Sequence, residues 1–181
     1  MTHSKKSFTF LALAGMLLFA NACDKGGETA EENITTIEVH ITGAGFDKKF
    51  YWNDTDGDGV ANTIDTIVIP PNVSNLQGHL HVYDRTESPE LDLTEEIEAE
   101  NVDHLFVYNV NIINNLNSLV IKDINTDDNG KPFGVTSVWT TALPNTGSVN
   151  IKLYHEPTDK DNAANPGGEV DFDVTFPLVI R

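Results

Sequence analysis

The sequence predicts an all-β protein, an antiparallel β-sandwich of the immunoglobulin-like kind with about nine strands. From Ile34 onward, apolar and polar residues alternate, which is the period of a β-strand and not that of a helix. Clusters of Asn, Asp, Gly and Pro interrupt the alternation at short intervals, as turns do. A lipocalin-like β-barrel has a similar number of strands and is the alternative, but the uneven loops favour a sandwich.

The first strand shows the pattern clearly. In "TIEVHI" (36–41), Ile37, Val39 and Ile41 face one way, while Glu38 and His40 face the other. Eight further runs are predicted to be strands: "KFYWN" (49–53), "IDTIVIP" (64–70), "GHLHVYD" (78–84), "DHLFVYNV" (103–110), "SLVIKDI" (118–124), "GVTSVWTT" (134–141), "VNIKLYHE" (149–156) and "VDFDVTFPLVI" (170–180).

One short helix is predicted between the strands. In "DLTEEIEAE" (92–100), Thr94 is a suitable N-cap, and the acidic residues after it suit the first turn of a helix. The run "NIINNLN" (111–117) is ambiguous.

The amino terminus has the pattern of a signal peptide. Lys5 and Lys6 precede an apolar run that is too short to span a bilayer comfortably, and small residues lead to Cys23, the single cysteine of the chain. "ANAC" resembles a bacterial lipobox, which implies removal of residues 1–22, diacylation of Cys23 and attachment to a membrane. Residues 23–33 then form the lipidated cysteine and a flexible tether, and residues 34–181 form the sandwich domain.

The chain is strongly acidic, with 11 basic and 28 acidic residues and a net charge of −17. Removal of residues 1–22 takes away two lysines and no acid, which leaves a net charge of −19. A field of this sign disfavours nucleic acid and anionic lipid, and it favours cations or a basic partner.

The segment "DTDGDGVANTID" (54–65) has the ligand spacing of a calcium loop. The residues at the ligand positions are Asp54, Asp56, Asp58, Val60 (through its carbonyl), Asn62 and Asp65. The segment resembles the loops of EF-hands, dockerins and thrombospondin type 3 repeats, although its flanks are predicted strands and its last position is aspartate where an EF-hand has glutamate. The sequence therefore predicts a structural calcium site. A hairpin loop without an ion is the alternative.

Two other loops are rich in oxygen ligands. The first (123–134) has Asp or Asn at alternate positions: Asp123, Asn125, Asp127 and Asn129. No acid closes the shell at the right distance, so a β-turn over "DDNG" is preferred to a second cation site. The second (158–168), with Asp159, Asp161 and Asn162, is expected to be a solvated loop.

Histidines on strands offer a different kind of metal site. His79 and His81 share one face of a predicted strand, so both could contact one zinc or copper ion if His40, His104 or His155 joined them. No H-x-x-x-H or H-E-x-x-H motif supports a dedicated site, and histidines with ordinary hydrogen bonds are the alternative.

No motif indicates catalysis. The sequence has no nucleophile elbow, no glycine-rich phosphate loop and no locally supported acid–base pair, so the chain is predicted not to be an enzyme. Trp52 and Trp139 are expected to pack in the core, with a sugar-stacking platform as the alternative.

Several blocks, taken in order, carry a family resemblance: "EENITTIEVHITG", "FYWNDTDGDG", "IDTIVI", "LTEEIEAENVDHLFVY", "FGVTSVWTT", "LYHEP" and "GEVDFDVTFPLVI". In this order they resemble a group of small Bacteroidetes lipoproteins that are often encoded beside TonB-dependent receptors. The resemblance covers most of the mature domain and includes Asp54, Asp56, Asp58, His104 and His155. It implies outer-membrane attachment and an accessory role in nutrient uptake, without catalytic residues.

Three functions fit these observations. The first is a lipid-anchored binding module of the cell envelope, accessory to an outer-membrane receptor and braced by calcium. The second is a lipoprotein that handles zinc or copper through His79, His81 and His104. The third is a structural or adhesive surface domain.

Overall fold

A computed structural model describes residues 33–86, 88–113 and 117–181 of the chain. The predictions for the signal peptide (1–22), for Cys23 and for the tether up to residue 32 concern residues outside these ranges. No helix within the described ranges is long and apolar enough to cross a membrane.

The described residues form eleven strands and one short helix, and this architecture confirms the predicted fold class. In chain order the elements are β1 (Thr36–Gly43), β2 (Phe46–Asn53), β3 (Thr63–Ile64), β4 (Ile67–Ile69), β5 (Leu76–Asp84), β6 (Leu91–Asp92), α1 (Thr94–Ala99), β7 (His104–Ile112), β8 (Leu119–Lys122), β9 (Thr136–Thr141), β10 (Asn145–His155) and β11 (Glu169–Ile180).

The strands hydrogen-bond into two sheets, which is the layered arrangement of a sandwich. Sheet A has the order β3-β2-β1-β5-β9-β8, and β6 also pairs with β5. Sheet B has the order β4-β11-β10-β7. Sheet A is curled like half of a barrel, which is the feature it shares with the lipocalin-like alternative.

The core is built from the alternating apolar residues of both sheets. Ile37 and Val39 of β1 have no exposed surface, and they belong to one cluster with residues of β10 and β11. Trp139 is 0% exposed and Trp52 is 8% exposed, which confirms that both pack in the core. Gly78 makes room for Trp139, since a Cβ atom there would lie 2.4 Å from the indole Nε1.

The predicted strand at 64–70 is divided between the two sheets. β3 pairs with β2 in sheet A, and β4 pairs with β11 in sheet B. The β4–β11 pair is parallel, so the sandwich is not purely antiparallel. Ile67 and Ile69 are fully buried, which explains the apolar run.

The predicted cap of α1 is wrong. Leu93 is the N-cap residue, and no side chain caps it. Thr94 is already helical, and its hydroxyl accepts the N–H of Val82 in β5 at 2.9 Å. The neighbouring strand therefore uses the oxygen that a cap would have used.

Candidate metal-binding sites

Within the described part of the chain, three groups of histidine and acidic side chains could each hold a metal ion, because one ligand atom of each residue lies within 4.8 Å of the others in its group. The groups are Asp54, Asp56 and Asp58 in the loop after β2; Glu38, His40 and His81 on sheet A; and His104, His155 and Asp171 on sheet B. The first of them was predicted as a group from sequence, and the other two combine predicted histidines with unpredicted acids.

The loop between β2 and β3 is a long hairpin connection. The N–H of Asn62 donates to the carbonyl of Asn53 at 2.8 Å, which closes the hairpin. Gly57 and Gly59 have φ angles of 69° and 82°, in the left-handed region that favours glycine. The chain turns sharply at both residues, and the alternate aspartates consequently face a common point.

Asp54 anchors this loop. It is 1% exposed, and its carboxylate accepts the N–H groups of Gly57 (3.0 Å), Asp58 (3.3 Å) and Gly59 (2.6 Å). Burial alone would raise the pKa of this carboxyl, but the donors, with the Gly59 N–H first, hold the pKa below its usual value. Asp54 is therefore ionised and fixed in place, whereas Asp56 and Asp58 are exposed.

The other predicted calcium ligands have different surroundings. Val60 is exposed. Asn62 Oδ1 accepts the N–H and the hydroxyl of Thr55. Asp65 Oδ2 accepts the N–H of Tyr51 at 2.9 Å, and Asp65 is not a member of the aspartate group. The hairpin is thus closed by hydrogen bonds at the end where an EF-hand supplies a carboxylate.

Glu38, His40 and His81 meet on the outer face of sheet A. Glu38 and His40 alternate along β1 on the face opposite to the core, as the sequence predicts. His81 of β5 is the ladder partner of Glu38, so its side chain lies beside the carboxylate. The pairing of β1 with β5 therefore completes the group.

Glu38 is buried although it lies on the outer face. It is 2% exposed, and the Nζ atom of Lys49 lies 2.9 Å from its Oε1 atom. Among the described residues, Oε1 has no hydrogen-bond partner of good geometry. The nearby phenol of Tyr51 has a raised pKa, through burial first and then through Glu38. The ammonium of Lys49 therefore compensates the charge of this buried carboxylate.

The three histidines of sheet A have different partners. Burial, and next the neighbouring His79, lower the pKa of His81. The rings of His79 and His81 have centres 4.2 Å apart, but His79 turns its Nε2 towards Glu98 Oε1 at 3.6 Å and is not a member of the group. His40 Nε2 lies 2.8 Å from Asp47 Oδ1.

The third group lies on three neighbouring strands of sheet B. His104 and His155 are ladder partners, and their rings stack with centres 4.9 Å apart. Burial lowers the pKa of His104, although its Nδ1–H donates to the carbonyl of Glu100 at 3.1 Å. Asp171 Oδ1 lies 3.9 Å from His155 Nδ1. The structure thus separates His104 and His155 from His81, and the five histidines considered from the sequence do not surround one ion.

In the 123–134 loop, the ammonium of Lys160 from the 158–168 loop lies beside Asp127, a candidate ligand of a second cation. Asp127 accepts the N–H groups of Asn129 (2.9 Å) and Lys131 (2.8 Å), and its Oδ2 accepts Nζ–H of Lys160 at 2.7 Å. Both side chains of the Asp127–Lys160 pair are buried. The N–H of Gly130 donates to the carbonyl of Asp127 at 2.9 Å, which confirms the predicted β-turn.

The 158–168 loop is solvated, as expected. Its members Asp159, Asp161 and Asn162 are exposed, and Asp161 forms an ion pair with Lys131. A cleft of about 250 Å³ lies between this loop and the 127–131 turn.

Sequence reasoning missed four residues of these sites. Glu38 could have been found, because it alternates with His40 in "TIEVHI". No local sequence pattern identifies Asp47, Asp171 or Lys160, because strand pairing and loop packing bring them to these sites. Asp171 in particular lies at an irregularity in the β10–β11 pairing.

No family model, curated protein or solved structure matches this chain. Its function therefore has to be inferred from the residues and their geometry.

Proposed function

We propose that the protein is a lipid-anchored binding module of the cell envelope whose aspartate loop binds a structural calcium ion. The observation that carries the calcium site is the convergence of Asp54, Asp56 and Asp58, with Asp54 buried and ionised. Two carboxylates 4 Å apart repel by about 1 kcal/mol in water and by about 4 kcal/mol at a partly dried site. A divalent cation at the common point turns this repulsion into attraction.

Calcium suits the loop better than a transition metal does. The side-chain ligands are all oxygen atoms, which hard cations prefer. Calcium takes about 6–8 oxygens, so backbone carbonyls and waters would complete the shell. The ion would brace a hairpin whose outer strand, β3, has only two paired residues.

Isothermal titration of the metal-free chain with calcium chloride tests this site. One calcium should bind, and Asp56→Asn should weaken binding at least about tenfold because it removes one charged ligand. Asp161→Asn changes an exposed aspartate outside the loop and is the matched control; it should leave the affinity unchanged. Absence of binding at millimolar calcium, or an equal loss in both variants, would contradict the proposal.

The anchor and the partner are supported by the amino-terminal sequence and by the acidic charge. Cys23 follows a signal-peptide pattern, and several acyl chains hold a protein firmly at a membrane. The proposed location is the outer membrane, and the proposed partner is a TonB-dependent receptor whose nutrient uptake the module assists. Cys23→Ser should release the protein from the membrane fraction, and the tagged parent should co-purify with a receptor. A membrane-bound Cys23→Ser variant would contradict the anchor.

Zinc or copper handling is the second candidate function. The observation in its favour is that two groups each combine a pair of histidines with a carboxylate. Metal analysis of the purified protein separates the candidates, because calcium alone indicates the braced module and stoichiometric zinc or copper indicates metal handling. Both candidates are binding roles without catalysis. Recovery of neither metal nor partner would favour the structural or adhesive domain.

A further inference from the structure

We propose that Glu38, His40 and His81 form a binding site for a divalent transition-metal ion of the zinc or copper class on the outer face of sheet A. This inference rests on the second candidate function, to which it gives a specific site. It shares no residue with the aspartate loop, so the two sites can be tested independently.

The donor set is the first argument. Two imidazoles and one carboxylate are a set that zinc uses, with the fourth position left for water or another ligand. One ligand atom of each residue lies within 4.8 Å of the other two. In a tetrahedral shell with bonds of about 2.1 Å, ligand atoms are about 3.4 Å apart. Small side-chain rotations can close this difference, because β1 and β5 already hold the three residues side by side.

The burial of Glu38 is the second argument, and it is independent of the first. A carboxylate on the outer face of a sheet can reach water, yet Glu38 is 2% exposed. Its Oε1 atom lacks a well-aligned hydrogen-bond donor among the described residues. Burying a charge is costly unless a cation compensates it, and here the ammonium of Lys49 compensates Glu38. Glu38 therefore already forms a site for a cation.

Lys49 supplies a replaceable cation. The ammonium of Lys49 lies 2.9 Å from Glu38 Oε1. The side chain of Lys49 is 47% exposed, whereas that of Glu38 is 3% exposed. The ammonium can consequently move into water when a metal ion takes its place. Lys160 differs in this respect, because its side chain is only 6% exposed.

The histidines are in a state that suits metal binding. A carboxylate only accepts, so His40 donates its Nε2–H to Asp47 and keeps Nδ1 free as a ligand atom. A carboxylate on the second ring nitrogen is the usual support of a metal-bound histidine. His81 is the ladder partner of Glu38, which places its ring beside the carboxylate. His79, whose ring centre lies 4.2 Å from that of His81, is a candidate for the fourth position.

Zinc titration of the full chain tests the site, with millimolar calcium present to fill the aspartate loop. Parent protein should bind zinc at micromolar concentration or below, and His81→Ala and Glu38→Gln should each weaken binding at least about tenfold. His155→Ala, in the other histidine group, and Asp56→Asn, in the calcium loop, should retain it. No zinc binding at submillimolar concentration, or a loss in His155→Ala with none in His81→Ala, would overturn the proposal.

A second variant distinguishes metal binding by Glu38 from a purely structural ion pair between Glu38 and Lys49. Lys49→Met removes the competing ammonium, so it should bind zinc more tightly than the parent and gain more in melting temperature when zinc is added. Cobalt(II) provides a direct readout, since a low-symmetry site with nitrogen ligands gives visible absorption that His81→Ala should abolish. Unchanged or weaker zinc binding in Lys49→Met, or a cobalt spectrum that survives His81→Ala, would refute the assignment even where another variant fails to fold.

Discussion

The loop after β2 and the loop before β9 have similar sequences but neutralise their acidic residues differently. In both, Asp or Asn stands at every second position, and one aspartate is buried and accepts backbone N–H groups. Asp127 has a buried partner within the chain, the ammonium of Lys160 at 2.7 Å. None of the ion pairs found in the described ranges involves Asp54.

The difference shows how a carboxylate-rich loop can be neutralised. In the 127–131 turn, a lysine that is distant in sequence neutralises the buried aspartate. The 54–59 segment has converging carboxylates and no lysine partner within the described ranges, and under the proposed function an ion from solution takes that role. Four predictions test this contrast.

The largest effect is expected when the ammonium that neutralises Asp127 is removed. Lys160→Met should lower the free energy of unfolding by about 3–5 kcal/mol, because the carboxylate of Asp127 would remain buried without compensation. Urea denaturation measures this. Lys131→Met, which removes the exposed ion pair with Asp161, is the control and should keep the parent midpoint. Equal, small losses in both variants would show that the buried pair is not a structural cation site.

The second-largest effect is expected from calcium, whose stabilising effect should depend on the loop after β2 and not on the loop before β9. At a hundredfold excess over its dissociation constant, calcium should stabilise the parent by about 2.7 kcal/mol. Asp54→Asn should abolish this gain, since it removes the central ligand. Asp127→Asn should lower stability without calcium and still show the full gain. If Asp127→Asn abolished the stabilisation by calcium, the calcium site would lie in the 123–134 loop and the account would be contradicted.

Acid should weaken both loops. Burial opposes ionisation of Asp127, but Lys160 and the N–H of Lys131 outweigh it and lower the pKa of this carboxyl; the pKa of Asp54 is lowered too. A group whose pKa is depressed on folding stabilises the protein above its unfolded pKa, about 3.9, and loses that contribution as the pH falls through the folded value. Urea midpoints should fall below about pH 5, and less steeply in Asp54→Asn and in Asp127→Asn. An unchanged slope in both variants would refute the roles given to these carboxylates.

The smallest effect is expected at Asp65. Its carboxylate accepts the N–H of Tyr51 at 2.9 Å, and an amide oxygen can do the same. Asp65→Asn should therefore change calcium affinity less than about threefold. A loss of tenfold or more in a calcium titration would show that Asp65 closes the metal shell in the way that the last residue of an EF-hand does.

Local patterns made part of this molecule predictable. Alternation in "TIEVHI" and "GHLHVYD" identified the strands and their buried faces, because every second side chain of a strand points to the same face of the sheet. The convergence of Asp54, Asp56 and Asp58 was also predictable, because all three lie within one short loop.

Long-range pairing made the rest unpredictable. The parallel contact of β4 with β11 joins residues more than a hundred positions apart. Lys160 reaches Asp127 from a loop 33 residues further along the chain. His81 joins Glu38 only because β5 is the neighbour of β1, and strand order is not encoded in either strand alone.

One calcium titration followed by nuclear magnetic resonance tests the contrast most directly. The amide signals of Gly57 and Gly59, which donate to Asp54, and of Gly130, in the turn at Asp127, can be observed together in isotope-labelled protein. Our account predicts that Gly57 and Gly59 shift with added calcium while Gly130 does not. Stationary Gly57 and Gly59 signals at millimolar calcium, or a shift of Gly130 alone, would contradict it.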